Sequence, residues 1–347
     1  MTKVLMIGLG GVGQRHLRNL RSILGPDTEF LAYRVRGLSQ VVTTTLQVES
    51  SKSVEEEYAV KAFSNIEAAL DEKPQIAVIC NPSSAHVPAA LACAKAGCDL
   101  FIEKPVSSSL SGLAELTEVS ERSKLTVMVG YQLRYHPCFL KILELLNSGI
   151  LGNILGVRAV IGEYLPNWHP YEDYRAMYAS RSEQGGGVVL SQIHEFDYLY
   201  ALFGAPSKLY AIGGHWSHLE IDVEDTASVL MHCTYSGRAL PVQLHQDYLQ
   251  DPAHRQCEII GDRARLVADF RNLKVSLYLP GAALPTVFGF DGFDRNEMFL
   301  SEMRHFLNCV ETRQKPIVDL AEGIKSLKIA LAVKESIAKD ILVDVNV

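Results

Sequence analysis

Several classes of protein are removed by what this chain lacks. No apolar run approaches the roughly 20 residues of a membrane-spanning helix. The first residues read as a strand and not as a signal peptide, because the apolar run is short and ends in glycines. Cysteine is sparse, with seven among 347 residues, at 80, 93, 98, 138, 233, 257 and 309. The number is odd and no C-x-x-C pair occurs, which argues against a disulfide framework and for reduced thiols in a cytoplasm. No His/Cys cluster has metal-ligand spacing, so no metal is expected, and there is no G-x-S-x-G nucleophile elbow. Basic residues do not outnumber acidic ones. The net charge of −7 argues against a nucleic-acid binder. Repeats and low-complexity segments are absent.

What is present reads as a soluble globular enzyme of two domains. Apolar residues make up 48% of the chain and charged residues 21%. The chain opens on KVLMIGLGGVGQRH, residues 3–16. An apolar strand enters a turn in which Gly8, Gly10 and Gly13 stand in G-x-G-x-x-G spacing, and a helical pattern follows through Val12, Leu17, Leu20 and Leu24. The first glycine permits the tight turn, the second lets backbone approach a pyrophosphate, and the third lets helix pack on strand. The helix N-terminus then offers free N–H groups to the anion. Gly8, Gly10, Gly11, Val12 and Gly13 are therefore candidate cofactor contacts.

Strand and helix patterns alternate after that. Strands are expected over 29–35, 60–63, 75–80, 99–102 and 125–130. Helices are expected over 40–52, 88–96 and 110–123, and a further one opens at Ser64 with Glu67 in capping-box spacing. This order predicts βαβ crossovers and a doubly wound parallel sheet over residues 1–131. In such a sheet ligands sit outside the carboxyl ends of strands. After the second strand an acid would hold the 2′-hydroxyl of NAD; here Tyr33, Arg34 and Arg36 stand instead, and arginine suits the 2′-phosphate of NADP. NADP or NAD is the expected cofactor. Asn81, Pro82 and His86 follow a buried strand, and so do Glu103, Lys104 and Pro105; with Arg34, the residues Asn81, Pro82, His86, Glu103 and Lys104 are further candidate cofactor contacts. A lysine at that place can hydrogen-bond a substrate hydroxyl or exchange a proton with it.

The second part, residues 132–347, begins with an amphipathic helix over 137–148, with Phe139, Ile142, Leu143 and Leu146 on one face. Residues 164–184 are aromatic and polar without a clean period, and read as a long excursion over a cleft. Gly185-Gly186-Gly187 lets backbone pass close to a nicotinamide or substrate. A helix over 193–203 then puts His194 and Asp197 on one face. Alternating strands follow from 208 to 279, and two closing helices cover 296–309 and 320–338. Arg134, His136, Tyr174 and Arg175 are candidate substrate contacts, with Ser191 and Asp197. The strands outnumber the helices that could cover both faces of their sheet, which predicts a homodimer or homotetramer.

GLGGVGQRH at 8–16, NPSSAH at 81–86, EKP at 103–105, VGYQLRYHP at 129–137 and GGGVVLSQIHEFDYLYALFG at 185–204 together resemble the glucose–fructose oxidoreductase / inositol dehydrogenase / MocA family. The resemblance implies an α/β protein: an N-terminal Rossmann domain and a C-terminal α/β domain with a large, mostly antiparallel open sheet. It implies NAD(P)-linked oxidation or reduction of a sugar, sugar nucleotide or cyclitol, with Lys104 and His194 serving the reaction. One position departs from the family. An aspartate usually stands three or four residues before the histidine; here those residues are Ser191 and Leu190. Serine cannot hold a negative charge. Either Glu195, Asp197 or the substrate has taken over that role, or activity is reduced or lost. Asp197 as charge partner of His194 is one expectation. The alternatives on the same fold are a non-catalytic dinucleotide or sugar sensor, and a lyase or hydrolase that regenerates its own nicotinamide.

Overall fold

A computed structural model of the chain describes residues 2–35, 40–43, 47–49 and 53–347. Strand and helix alternate at first: β1 (Lys3–Ile7), α1 (Gly11–Leu24), β2 (Glu29–Tyr33), the short β3 (Val41–Val42) and β4 (Val48–Glu49), α2 (Val54–Tyr58), β5 (Lys61–Phe63), α3 (Ile66–Leu70), β6 (Ile76–Ile79), α4 (His86–Lys95), β7 (Asp99–Glu103), α5 (Leu113–Arg122) and β8 (Val127–Gly130). Six strands form one sheet in the order β5-β2-β1-β6-β7-β8, and every pairing in it is parallel. The direction of winding reverses between β1 and β6. The crevice outside their carboxyl ends is where such sheets take ligands. Strands β6, β7 and β8 are buried along their whole length, which is why they read as apolar runs without alternation.

The chain then runs through α6 (Pro137–Asn147), β9 (Ile154–Gly162), α7 (Val188–Ser191), α8 (His194–Phe203), β10 (Lys208–Gly214), β11 (Thr226–Tyr235), β12 (Arg238–Asp247), β13 (His254–Gly261), β14 (Arg265–Asp269), β15 (Lys274–Tyr278), β16 (Thr286–Gly289), α9 (Asn296–Thr312), α10 (Leu320–Lys339) and β17 (Val343–Asp344). Its nine-stranded sheet has the order β16-β15-β14-β13-β9-β12-β11-β10-β17, with β9 and β12 parallel and the other pairs antiparallel. In β11, Ala227, Val229, Met231 and Cys233 point into the core while Ser228, Leu230, His232 and Thr234 face out. The outer face carries Leu155, Ile212 and Leu230, each about half exposed.

The closing helices join the two sheets. Met303 and Phe306 of α9 share a core with Val4, Met6, Leu17, Phe101 and Met128 of the first sheet. In α10, a Cβ on Gly323 would come within 2.5 Å of Val129 Cγ2, so this helix lies directly against β8.

Several local expectations change. The helix over 40–52 is not formed by the described residues there; β3 pairs with β4 antiparallel instead. Gln14 of α1 holds this hairpin, its Oε1 accepting from Val42 N at 2.8 Å and its Nε2 donating to Gln40 O at 2.9 Å. The helix cap before α3 is Asn65 and not Ser64: Asn65 Oδ1 accepts from Ala68 N. The capping box occurs at Ser53 and Glu56, at the start of α2. Val12 points partly to solvent, and on α6 Leu145 is buried where Leu143 is not. All seven cysteines are buried with free thiols. No helix of the described residues is long and apolar enough to cross a membrane.

Candidate dinucleotide and catalytic site

The glycine turn lies at the switch point, and its glycines have different reasons. Gly8 has φ +88°, and a Cβ there would sit 3.0 Å from Asn81 N and Cys80 O. A Cβ on Gly13 would be 2.3 Å from Gly8 O, so only glycine lets α1 pack this close to its own entry turn. A Cβ on Gly10 would meet nothing within 4 Å among the described residues. The backbone is therefore open to a ligand at the position where the spacing asks for it. The N-cap Gly10 offers no side-chain cap, and Gln14 N to Gly10 O is the first helical bond, leaving the N–H groups of residues 11–13 without partners in the helix. This cradle fits a dinucleotide diphosphate.

The two neighbouring strand ends are tied together by buried polar groups. His86 lies between Pro105 O (2.8 Å from Nδ1) and Asn81 O (2.8 Å from Nε2), so it braces the turns after β6 and β7. Burial lowers its pKa, against those two carbonyls. Asn81 donates to Ala85 O, while its Oδ1 is buried without a partner among the described residues. Pro82 opens the short turn that follows. Glu103 is buried; its Oε1 lies 2.6 Å from His16 Nε2, and its Oε2 accepts from Lys104 N at 3.1 Å. Burial pushes the Glu103 carboxyl up, but His16 and Lys104 more than offset this and hold it below its usual value. Glu103 thus works as a charged clamp on the backbone that presents Lys104.

Lys104 extends from this clamp toward the second sheet's helices. Its Nζ donates to Ser191 O at 2.8 Å. His194 follows at the first position of α8, buried, with its ring edge-on to Tyr131 at 5.7 Å. The structure therefore brings together Lys104, Ser191 and His194. Burial pushes the His194 pKa well down, and Lys104, Arg255 and Arg295 push it further. Its Nδ1 is buried without a hydrogen-bond partner among the described residues, and so is Ser191 Oγ. A neutral imidazole beside an ammonium can accept a proton from a hydroxyl that the ammonium orients.

The two acids on α8 do not face His194. Glu195 accepts two bonds from Arg255, at 2.8 and 2.7 Å. Asp197 takes a fork from Arg134, at 2.6 and 3.0 Å, plus the Ser326 hydroxyl at 3.1 Å. Arg134 is thereby an internal brace between the turn after β8 and α8. His136 caps α6 through Nδ1, which accepts from Cys138 N, and lies among Phe270 and Phe293. Burial pushes its pKa down to about 4. Tyr174 Oη accepts from Glu220 N, and Arg175 pairs with Asp173 and Glu220 on the surface. The excursion over 164–184 folds into four short 3₁₀ turns. The triple glycine passes close to protein: a Cβ on Gly185 would meet Ser108 and Ser83, one on Gly186 Tyr178 O, and one on Gly187 Glu224.

At the end of β2, Arg34 pairs with Glu55 of α2, so an acid does reach this position, from 21 residues downstream. Arg36 lies outside the described residues. Sequence reading also missed Glu302. It sits on α9 between Phe299 and Phe306, fully buried, with neither oxygen partnered among the described residues. Phe299 touches the His16 ring and Phe306 touches Phe101. Burial pushes the Glu302 pKa well up, and Glu103 and Asp197 add to it, which favours the neutral form.

Among curated proteins, the chain is 24% identical to myo-inositol 2-dehydrogenase of Thermotoga maritima over 96% of both chains. It is also 24% identical to scyllo-inositol 2-dehydrogenase (NAD(+)) of Bacillus subtilis, over 99% of this chain and 96% of that one. Levoglucosan dehydrogenase, solved with NADH and levoglucosan, superposes with a TM-score of 0.82 at 17% identity over 99% of both chains. The WlbA dehydrogenase of Bordetella pertussis, solved with NADH and UDP-GlcNAcA, gives 0.80 at 17% identity over 100% of this chain and 99% of that one. Residues 2–131 match the oxidoreductase family with NAD-binding Rossmann fold, and residues 139–267 match the GFO/IDH/MocA C-terminal domain. With the glycine cradle, the EKP clamp and the histidine of α8 all in place, the chain belongs to the GFO/IDH/MocA family of oxidoreductases.

Proposed function

We propose that the protein moves a hydride between NAD(P) and a secondary alcohol, or its ketone, of a sugar, sugar nucleotide or cyclitol. The observation that carries this reading is the meeting of Lys104 Nζ with Ser191 O, at the end of α7 and three residues before His194. The nicotinamide, when bound, supplies the hydride acceptor or donor. Lys104 donates a hydrogen bond to the reacting oxygen and stabilises negative charge on it. His194, kept neutral by burial and neighbouring cations, takes the hydroxyl proton in oxidation and returns it in reduction. Ser191 contributes its carbonyl to hold Lys104.

Either cofactor suits the end of β2. The Glu55 carboxylate can accept from a free 2′-hydroxyl, and the Arg34 guanidinium can meet a 2′-phosphate. The open outer face of the nine-stranded sheet, with Leu155, Ile212 and Leu230, is proposed as the surface of a homodimer or homotetramer. The function is tested by following reduced nicotinamide on a panel of cyclitols, monosaccharides and sugar nucleotides with NAD and NADP. Turnover with a polyol supports the reading. Binding of cofactor with no turnover across the panel would favour a sensor.

A further inference from the structure

Tyr171 belongs to the segment between β9 and the triple glycine, yet its hydroxyl reaches the entrance of α1. A Cβ built on Gly11 would lie 2.6 Å from Tyr171 Oη, with the next atom, the ring Cζ of the same tyrosine, at 3.8 Å. Gly11 is not one of the three glycines of the G-x-G-x-x-G spacing. The room Tyr171 requires gives residue 11 its own reason to be glycine. The hydroxyl has no hydrogen-bond partner among the described residues, and it stands beside the first-turn N–H groups that the helix leaves free.

The tyrosine is held in place from its own side. Its ring stacks on His169, with centroids 5.4 Å apart and planes 12° from parallel, and His169 Nδ1 lies 2.7 Å from Glu172 Oε1. Burial pushes its pKa up to about 12, with Glu172 adding and Arg15 opposing, so the hydroxyl remains a donor at neutral pH. Arg15, in the second turn of α1, lies over the Phe299 ring at 4.6 Å. A donor hydroxyl at Gly11, with a guanidinium in electrostatic reach of it, suits a diphosphate bound there.

We propose that Tyr171 is a dinucleotide ligand from the second half of the chain, its hydroxyl donating a hydrogen bond to the diphosphate seated on the N-terminus of α1. This rests on the dinucleotide site of the first sheet and extends it. The diphosphate then pins the segment that leads through Tyr174 and Arg175 to the glycines before His194.

The test compares the parent with Tyr171→Phe, which keeps the ring and its stacking on His169. Binding of NADH and NADPH is followed by nicotinamide fluorescence and binding of ADP-ribose by calorimetry, with thermal melting as the check on folding. A hydrogen bond to a charged group predicts about tenfold weaker binding of the preferred cofactor and of ADP-ribose alike. ADP-ribose lacks nicotinamide, so an equal loss places the contact on the ADP-ribose portion and excludes the nicotinamide ring. Binding by the variant within twofold of the parent overturns the proposal, and so does tighter binding, which would make the hydroxyl an obstacle. A parent that binds neither NADH nor NADPH would overturn the dinucleotide reading itself, a separate result.

Discussion

The two walls of the proposed active site are held in opposite ways. On the first sheet, Lys104 follows a glutamate that is charged, buried and fastened by His16 and by the Lys104 backbone. On α8, His194 is followed by two acids that are both turned to arginines elsewhere, Glu195 to Arg255 and Asp197 to Arg134. One wall keeps a carboxylate directly behind its reactive group; the other directs its carboxylates away. The consequence is electrostatic. His194 is left with cations as neighbours and stays neutral, the form that accepts a proton. An uncharged Ser191 is consistent with this arrangement, because a carboxylate beside His194 would favour imidazolium.

Removing either reactive group should have the largest effect. Lys104→Ala and His194→Ala each lower kcat by about 10²- to 10⁴-fold, the usual contribution of a general acid or base. NADH affinity stays within a few-fold of the parent, since neither group sits at the glycine turn. Steady-state kinetics on the best substrate, with fluorescence titration of NADH, checks both halves of this expectation.

Next in size is the brace behind His194. Arg134→Ala leaves Asp197 buried without its partner, a loss of about 3–5 kcal/mol in unfolding free energy. Denaturant unfolding measures it. Asp197→Asn should leave the acidic limb of the pH–rate profile where it is, because the carboxylate faces Arg134 and Ser326 and not the imidazole. A downward shift of that limb would restore Asp197 as the charge partner.

Glu302 sharpens the contrast with Glu103, for it is a buried glutamate with no partner among the described residues. Its folded pKa lies above the ordinary 4.5, so the folded state binds the extra proton. Stability is then fullest below the ordinary value and falls as pH rises toward the raised one. Glu302→Gln removes this dependence. Across that window the parent should lose up to about 1.4 kcal/mol per pH unit relative to the variant. Melting curves from pH 5 to pH 8, a range of about three units chosen from the same relation, show whether the two lines diverge.

The smallest effect concerns the cofactor. Glu55→Gln removes one carboxylate from beside the Arg34 guanidinium, and NADPH binding should improve a few-fold relative to NADH. An unchanged ratio of dissociation constants would remove Arg34 from the cofactor's ribose.

What was legible in the sequence is what is encoded at short range. The glycine turn, the EKP segment and the triple glycine with its histidine are fixed spacings. The first sheet follows from apolar runs at helix-length intervals. What escaped depends on partners far apart in the chain. Arg134 reads as a substrate contact until Asp197, 63 residues on, occupies it. Arg34 reads as a free phosphate ligand until Glu55 folds back to it. Residues 40–52 read as helix, but Val41 and Val42 are drawn into a strand by Gln14 and by Arg18, whose guanidinium donates to Val42 O at 2.8 Å. Burial without a partner, as at Glu302, leaves no trace in spacing.

The central claim is that His194 is a neutral base, and its titration tests this without any substrate. Nitrogen-15 labelled histidine side chains are followed by NMR from pH 8 to pH 5, about three units around the ordinary imidazole value, with His194→Gln identifying the resonance. The account predicts that His194 remains neutral well below the ordinary 6.5 and that Lys104→Met moves its pKa upward. A titration at or above 6.5 in the parent protein would contradict it.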